Sequence, residues 1–207
     1  MKYGLHARIM FIILKLRIHK FLKSTLGKER AVKIIKRSGR EYRAMIQRTP
    51  DIGGEENMNY DAMIVGAALF SVYKASEGAV TEDVFDKMVD NLLHWNLLLK
   101  AYDKNDEFSK EILMKRKEDA LRSQKDKYKA DWKYTFEVIN KDEHTFTYSR
   151  CGICELAKRE NCFNLVKYIC KMDFVTYGCM GAELTRTKTI ADGDSICDFH
   201  LKRKAEL

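Results

Sequence analysis

A chain of 207 residues with one proline, 11 glycines and 45% hydrophobic residues can bury one good core, which excludes a low-complexity or disordered polymer. Six cysteines are too few for a small secreted disulfide scaffold, so free thiols in a reducing, cytoplasmic setting are expected. The net charge of +8 is uneven: residues 1–48 carry 14 Lys/Arg against Glu29 and Glu41, a net of +12, leaving −4 for the rest.

In the opening stretch, MKYGLHARIMFIILKLRIHKFLK, the apolar run Ile9 to Leu14 is cut off by Lys15, Arg17 and Lys20, too early for a membrane span. No small-residue cleavage site follows, so the segment is expected to be retained. Read as a helix over residues 5–23, it places Leu5, Ile9, Ile12, Ile13 and Leu16 on one stripe flanked by lysines and arginines. Packing of that stripe on the body or on a second subunit, which would make a homodimer, ranks ahead of peripheral membrane contact. A nucleic-acid arm ranks last, because no recognition motif accompanies the charge. Residues 28–48 read as a second amphipathic helix, with Val32, Ile34, Ile35, Tyr42, Met45 and Ile46 as its apolar positions, ended by Pro50. Residues 1–48 thus form a basic helical segment, part of or appended to a single domain whose main body is 49–207.

After the turn TPDIGGEEN, residues 59–76 read as a largely buried helix stopped by Gly78. Thr81, Glu82 and Asp83 cap the next helix, whose apolar positions Val84, Phe85, Met88, Val89, Leu92 and Leu93 follow a 3.6-residue period. A charged helical stretch runs from about Asn105 to Tyr128. The period changes at Asp131: Trp132, Tyr134, Phe136 and Val138 alternate with polar residues, and HTFTYSRC alternates again after NKDE, which predicts a hairpin. Residues 152–170 return to helix, with Leu156, Leu165, Val166 and Ile169 inward. AELTRTKTI and SICDFHLK read as two late strands separated by the turn ADGD, where Gly193 takes a positive φ. The fold class is α+β, a helical amino-terminal half packed on one face of an antiparallel sheet formed mainly by the carboxy-terminal half.

Three blocks of the chain, RTPDIGGEENMNYDAMIVGAALFSVYKASEG, SRCGICELAKRENCFNLVKYICKMDF and LTRTKTIADGDSICDFH, resemble the L-2-amino-thiazoline-4-carboxylic acid hydrolase family. That family is distantly similar to vinyl-reductase-like small-ligand-binding domains, which implies a small-molecule cavity between sheet and helices. The namesake substrate implied by the resemblance is a cyclic isothiourea bearing a carboxylate, opened by hydrolysis toward N-carbamoyl-L-cysteine. Such a reaction needs a cation for the carboxylate, an anion for the amidinium, and an activated nucleophile with a proton donor. Arg186 suits the first need, because a guanidinium can fork onto a carboxylate. Asp173, three residues after Cys170, suits the second, with Asp198 as the alternative. Cys170 and Cys197 are the candidate reacting thiols, and Cys151, in the same family-like block as Cys170, is a candidate substrate-binding residue. The alternative is a non-catalytic small-ligand-binding or sensory module of the same fold.

Zinc is a rival use for the cysteines, since Cys151 and Cys154 form C-x2-C and Cys197 with His200 forms C-x2-H. Against it, Cys154 leads straight into helical sequence, and Cys197 and His200 fall on opposite faces of a strand. No cofactor is therefore expected. His144, which begins a strand leading toward Cys151, is a base only if the fold brings the two together. The absence of a Gly-rich phosphate loop, a serine elbow and paired metal-binding histidines excludes nucleotide-dependent chemistry and the standard triads.

Overall fold

The computed structural model describes residues 1–205 of the chain. Its first two helices, α1 (Leu5–Leu26) and α2 (Lys28–Arg48), turn back on one another at Gly27, whose φ of +86° suits a residue without Cβ. Phe11 stacks on Tyr42 with ring centroids 4.6 Å apart, and Tyr42 donates its hydroxyl hydrogen to the Ala7 carbonyl at 3.1 Å. The face of α1 turned to the body is therefore Ala7, Phe11, Leu14, Ile18 and Leu22. The expected stripe is corrected: Leu5, Ile9, Ile12 and Leu16 point outward. Both sets are spaced at helical period, because α1 is apolar on two sides, and spacing alone could not choose between them.

Helix α3 (Tyr60–Ala75) is buried on almost every side, packed by α2 across one flank, and Gly78 turns the chain beyond it with a φ of +88°. Helix α4 (Glu82–Leu93) starts as anticipated, with the Thr81 hydroxyl accepting from the Val84 N–H at 3.3 Å. A short α5 (Asn96–Tyr102), not anticipated, precedes α6 (Lys110–Gln124).

The period-2 segments form a four-stranded antiparallel sheet: β1 (Lys133–Asn140), β2 (Glu143–Arg150), β3 (Ala182–Thr185) and β4 (Cys197–Arg203), in the order β1-β2-β4-β3. Phe146 lies opposite both Phe136 and Phe199, while Tyr148 lies opposite Tyr134 and Cys197, so one face is a continuous aromatic surface. Val138 is exposed rather than inward, because the far end of β1 runs out past the helical layer.

Between β2 and β3 the helix expected over residues 152–170 is broken. It divides into α7 (Gly152–Glu160), α8 (Val166–Ile169) and α9 (Lys171–Cys179), the first ending where Asn161 adopts a left-handed φ of +57°. The two late strands pair, with Thr185 opposite His200, but a long excursion joins them. Gly193, at φ +102°, ends a short 3-10 turn within that excursion.

One buried ion pair, and one between an exposed arginine and a buried carboxylate, fix the layers. Arg116 of α6 forks onto Glu107 through bonds of 3.0 and 2.9 Å, its guanidinium carbon 5.1 Å from the centroid of Phe146 on the sheet. Arg48 of α2 likewise grips Glu160 at the end of α7, at 2.7 and 2.6 Å.

Candidate active site

A cavity of about 350 Å³ opens between the aromatic face of the sheet and helices α3, α6 and α9. Its walls include Trp132, Tyr148, Tyr177 and Phe199, and into it converge Cys151, Cys170, Cys197, Asp173 and Arg186. Five of the six candidate site residues are thus gathered. Asp198 is not: strand alternation turns it to the other face, where its carboxylate accepts from the Thr187 and Lys188 N–H groups at 2.9 and 2.6 Å and holds the excursion after β3.

Each side chain owes its place to the end of an element. Arg186 follows the last residue of β3, and its guanidinium donates to Asp173 Oδ2 at 2.8 Å and to the Cys170 carbonyl at 3.2 Å. The same guanidinium lies 4.9 Å from the centroid of Phe199. Its side chain is only 6% exposed, whereas Asp173 in the first turn of α9 is 38% exposed, an accessibility that faces the cavity it lines. Burial pushes the Asp173 carboxyl above the usual range, against the pull of Arg186.

The thiols are not equivalent. Burial is the main influence on both Cys170 and Cys197; it pushes the former far up and the latter to about 11, although the Cys197 sulfur accepts from the Ile190 N–H at 3.2 Å. Cys151 differs because it is the residue on which α7 starts. The neighbouring Cys154 thiol, and behind it the backbone N–H groups of Cys154 and Ile153, hold its pKa down in spite of burial, although its sulfur makes no helix-capping hydrogen bond. Cys154, as the donor of that pair, is driven far up. The sequence signal for this arrangement was the C-x2-C spacing set where a strand turns into a helix, which reads as zinc only if the helical context is ignored.

Gly152 makes the tight corner. A Cβ there would meet the Trp132 ring at 2.6 Å, and one at Gly66 would meet Ile153 Cδ1 at 2.6 Å, so small residues let α7 lie close to both the sheet and α3. A Gly152→Ala substitution is expected to cost about 1–3 kcal/mol and to displace the start of α7. Thermal unfolding read alongside the alkylation rate of Cys151 would check both effects.

Two further groups were not read from the sequence. Arg116 lines the cavity floor, already neutralised by Glu107. Asn59 lines the entrance side, and its buried Nδ2 has no partner, which leaves a donor available to a ligand. His144 does not serve Cys151: it lies near the start of β2 and Cys151 just past its end, roughly 24 Å apart at about 3.4 Å per residue. Instead its Nε2 stands 3.4 Å from Glu107 Oε1 in the core. His200 pairs with Glu143 at 2.6 Å, away from Cys197. Among the described residues no group of three or more His, Cys, Asp or Glu is placed to hold a metal ion, and no helix is long and apolar enough to cross a membrane.

Comparison with known proteins gives one relation that bears on this cavity. None of the curated proteins compared with the chain matches it. The crystal structure of an Fe(II) unliganded H-NOX protein from K. algicida aligns over 94% of this chain and 97% of its own at 12% identity, with a TM-score of 0.36, which is too loose a likeness to carry an argument. The model of the L-2-amino-thiazoline-4-carboxylic acid hydrolase family, by contrast, matches residues 43–201, a stretch that contains all five converging side chains. The chain belongs to the L-2-amino-thiazoline-4-carboxylic acid hydrolase family.

Proposed function

We propose that the cavity opens a small cyclic C–N/C–S compound by hydrolysis, with L-2-amino-thiazoline-4-carboxylate as the reference substrate and N-carbamoyl-L-cysteine as the product. The observation that carries this reading is the coexistence, in one cavity, of a thiol with a depressed pKa and a buried guanidinium–carboxylate pair. A zwitterionic substrate is the electrical complement of that pair: its carboxylate meets the free edge of Arg186 and its amidinium meets Asp173. Cys151, proposed above as part of substrate binding, takes the nucleophile's role in place of Cys170 and Cys197, whose buried thiols stay protonated at neutral pH.

The Cys151 thiolate adds to the amidine carbon and the ring C–S bond breaks, the sulfur departing as a thiolate. An isothiouronium now links Cys151 to the opened substrate. Water adds to the same carbon and gives one proton to Asp173, whose raised pKa suits it to carry that proton on to the departed sulfur; Cys151 leaves as thiolate and the second water proton passes to solvent, so one water is consumed and the urea carbonyl of the product is formed. A catalytic thiolate calls for a reducing compartment, which agrees with a cytoplasmic setting. The Arg186–Asp173 pair, already closed on itself, is equally suited to a protein that binds such a zwitterion without turning it over.

The test is release of free thiol from the thiazoline by the purified protein, followed by colorimetry, alongside selective alkylation by iodoacetamide. Cys151 is expected to be the first thiol labelled, and labelling is expected to stop thiol release. Because a lowered pKa keeps the thiolate populated as pH falls, both rates should hold through the ordinary thiol range near 8.5 and decline only below it. Saturable binding with no thiol released would favour the binding module.

A further inference from the structure

Helix α1 lies outside the stretch that the family model matches, and nothing in the cavity uses it. Its inner side is accounted for by the body. On its outer side Leu5 is 73%, Ile9 48%, Ile12 51% and Leu16 65% exposed, at successive positions of one helical face. This is a contiguous row of large aliphatic side chains, not a scatter of single exposed residues.

The charges around that row decide what covers it. The helix contains Arg8, Lys15, Arg17, Lys20 and Lys23 and no acidic residue. Arg17 is engaged with the Asn91 carbonyl at 3.3 and 3.1 Å, while Arg8, Lys20 and Lys23 are exposed. A second copy of this chain would bring the same basic row against itself with no carboxylate on either helix to answer it. Four side chains also fall far short of the roughly 20–30 residues a side of a standard protein interface. An anionic bilayer surface meets both demands: the aliphatic row enters the headgroup–acyl boundary, and the flanking lysines and arginines reach outward to phosphates.

We infer that the outer face of α1 docks the protein on membranes rich in anionic lipid, lying in the interface plane. This orientation leaves the α1 inner face on the core, so docking needs no unfolding.

The experiment is co-sedimentation of the full chain with vesicles of phosphatidylcholine alone and with vesicles containing phosphatidylglycerol. The protein is expected to pellet with the anionic vesicles and to be released by raised salt. An Ile9→Ser/Leu16→Ser variant, altered only at exposed positions, should keep the wild-type circular dichroism and lose at least about tenfold in partitioning. A Lys20→Glu/Lys23→Glu variant should lose about tenfold or more through charge alone. Wild-type protein left in the supernatant with anionic vesicles at low salt overturns the inference, as does unchanged partitioning of the folded serine variant. A dimer in light scattering that the serine variant dissociates also overturns it, and assigns the face to a second copy.

Discussion

A Cys151→Ala variant is expected to fold, to retain affinity for the thiazoline and to release thiol at least about 10³-fold more slowly than the wild type. Retention of the fold follows from its position: Cys151 is the half-buried residue just before α7, and its backbone carbonyl, which accepts from the Glu155 N–H at 3.0 Å, is untouched by the change. Loss of rate follows because neither remaining cavity thiol can substitute. Burial keeps Cys170 and Cys197 protonated: Cys170 also precedes a helix, α9, but the charge of Asp173 adds to burial in pushing its thiol up, and Cys197 begins a strand. Cys170→Ala and Cys197→Ala controls should retain turnover to within about tenfold. If instead either control is inactive while Cys151→Ala works, the nucleophile has been misassigned. Cys154→Ala separates activation from attack: it removes the thiol that donates to Cys151, so the pH at which alkylation slows should move upward.

Replacing Glu107 by alanine is expected to lower unfolding stability by about 3–5 kcal/mol, the largest loss from any single carboxylate in the chain. Glu107 is wholly buried and accounts for both close bonds of Arg116, so its removal strands a guanidinium between Phe146 and Tyr177. The exposed pairs, such as Lys33–Glu29 and Lys87–Asp83, contribute far less, because water screens them. A Glu107→Leu/Arg116→Met double variant should recover most of the loss, since two apolar residues leave no orphaned charge. The pH dependence has a definite sign. Burial raises the Glu107 pKa, but the charge of Arg116 and the contact with His144 outweigh it and leave the carboxyl below its ordinary value. Its stabilisation is therefore complete above the unfolded value near 4.3 and disappears as pH falls through the lower folded value. Chemical denaturation of wild type and double variant across that acid range would measure it, and the double variant should show the shallower slope.

The sequence made the outline of the sheet legible because alternation survives wherever one strand face is buried. Tyr134, Phe136, Phe146 and Tyr148 carry that pattern, and the hairpin they predict is present, with Tyr134 opposite Tyr148 and Phe136 opposite Phe146. Convergence of Cys170, Cys197, Asp173, Arg186 and Cys151 was anticipated through the family resemblance, not through spacing, since Cys197 and Asp173 lie on two different elements, β4 and α9, and the other three in the connections between elements. What stayed hidden has physical causes. The inner face of α1 was masked by a second apolar row. The break at Asn161 rests on a single left-handed residue inside otherwise helical composition. The Glu107–Arg116 pair is invisible in a stretch where charge reads as solvated surface. Cys154 acts on Cys151 only because Gly152 lets α7 begin against Trp132, a contact no composition records.

The strand order β1-β2-β4-β3 carries one last implication, for the sequence of events in folding. The hairpin of β1 and β2 is local and can form early, whereas β2 meets β4 only after the whole of 151–196 has been looped back. That loop holds Cys151, Cys170, Asp173 and Arg186, so the reactive groups acquire their mutual geometry only when the distant strand zips into place. Catalytic competence is then a late milestone of maturation, and a chain stalled before it exposes an aromatic ribbon ready to pair with another stalled chain.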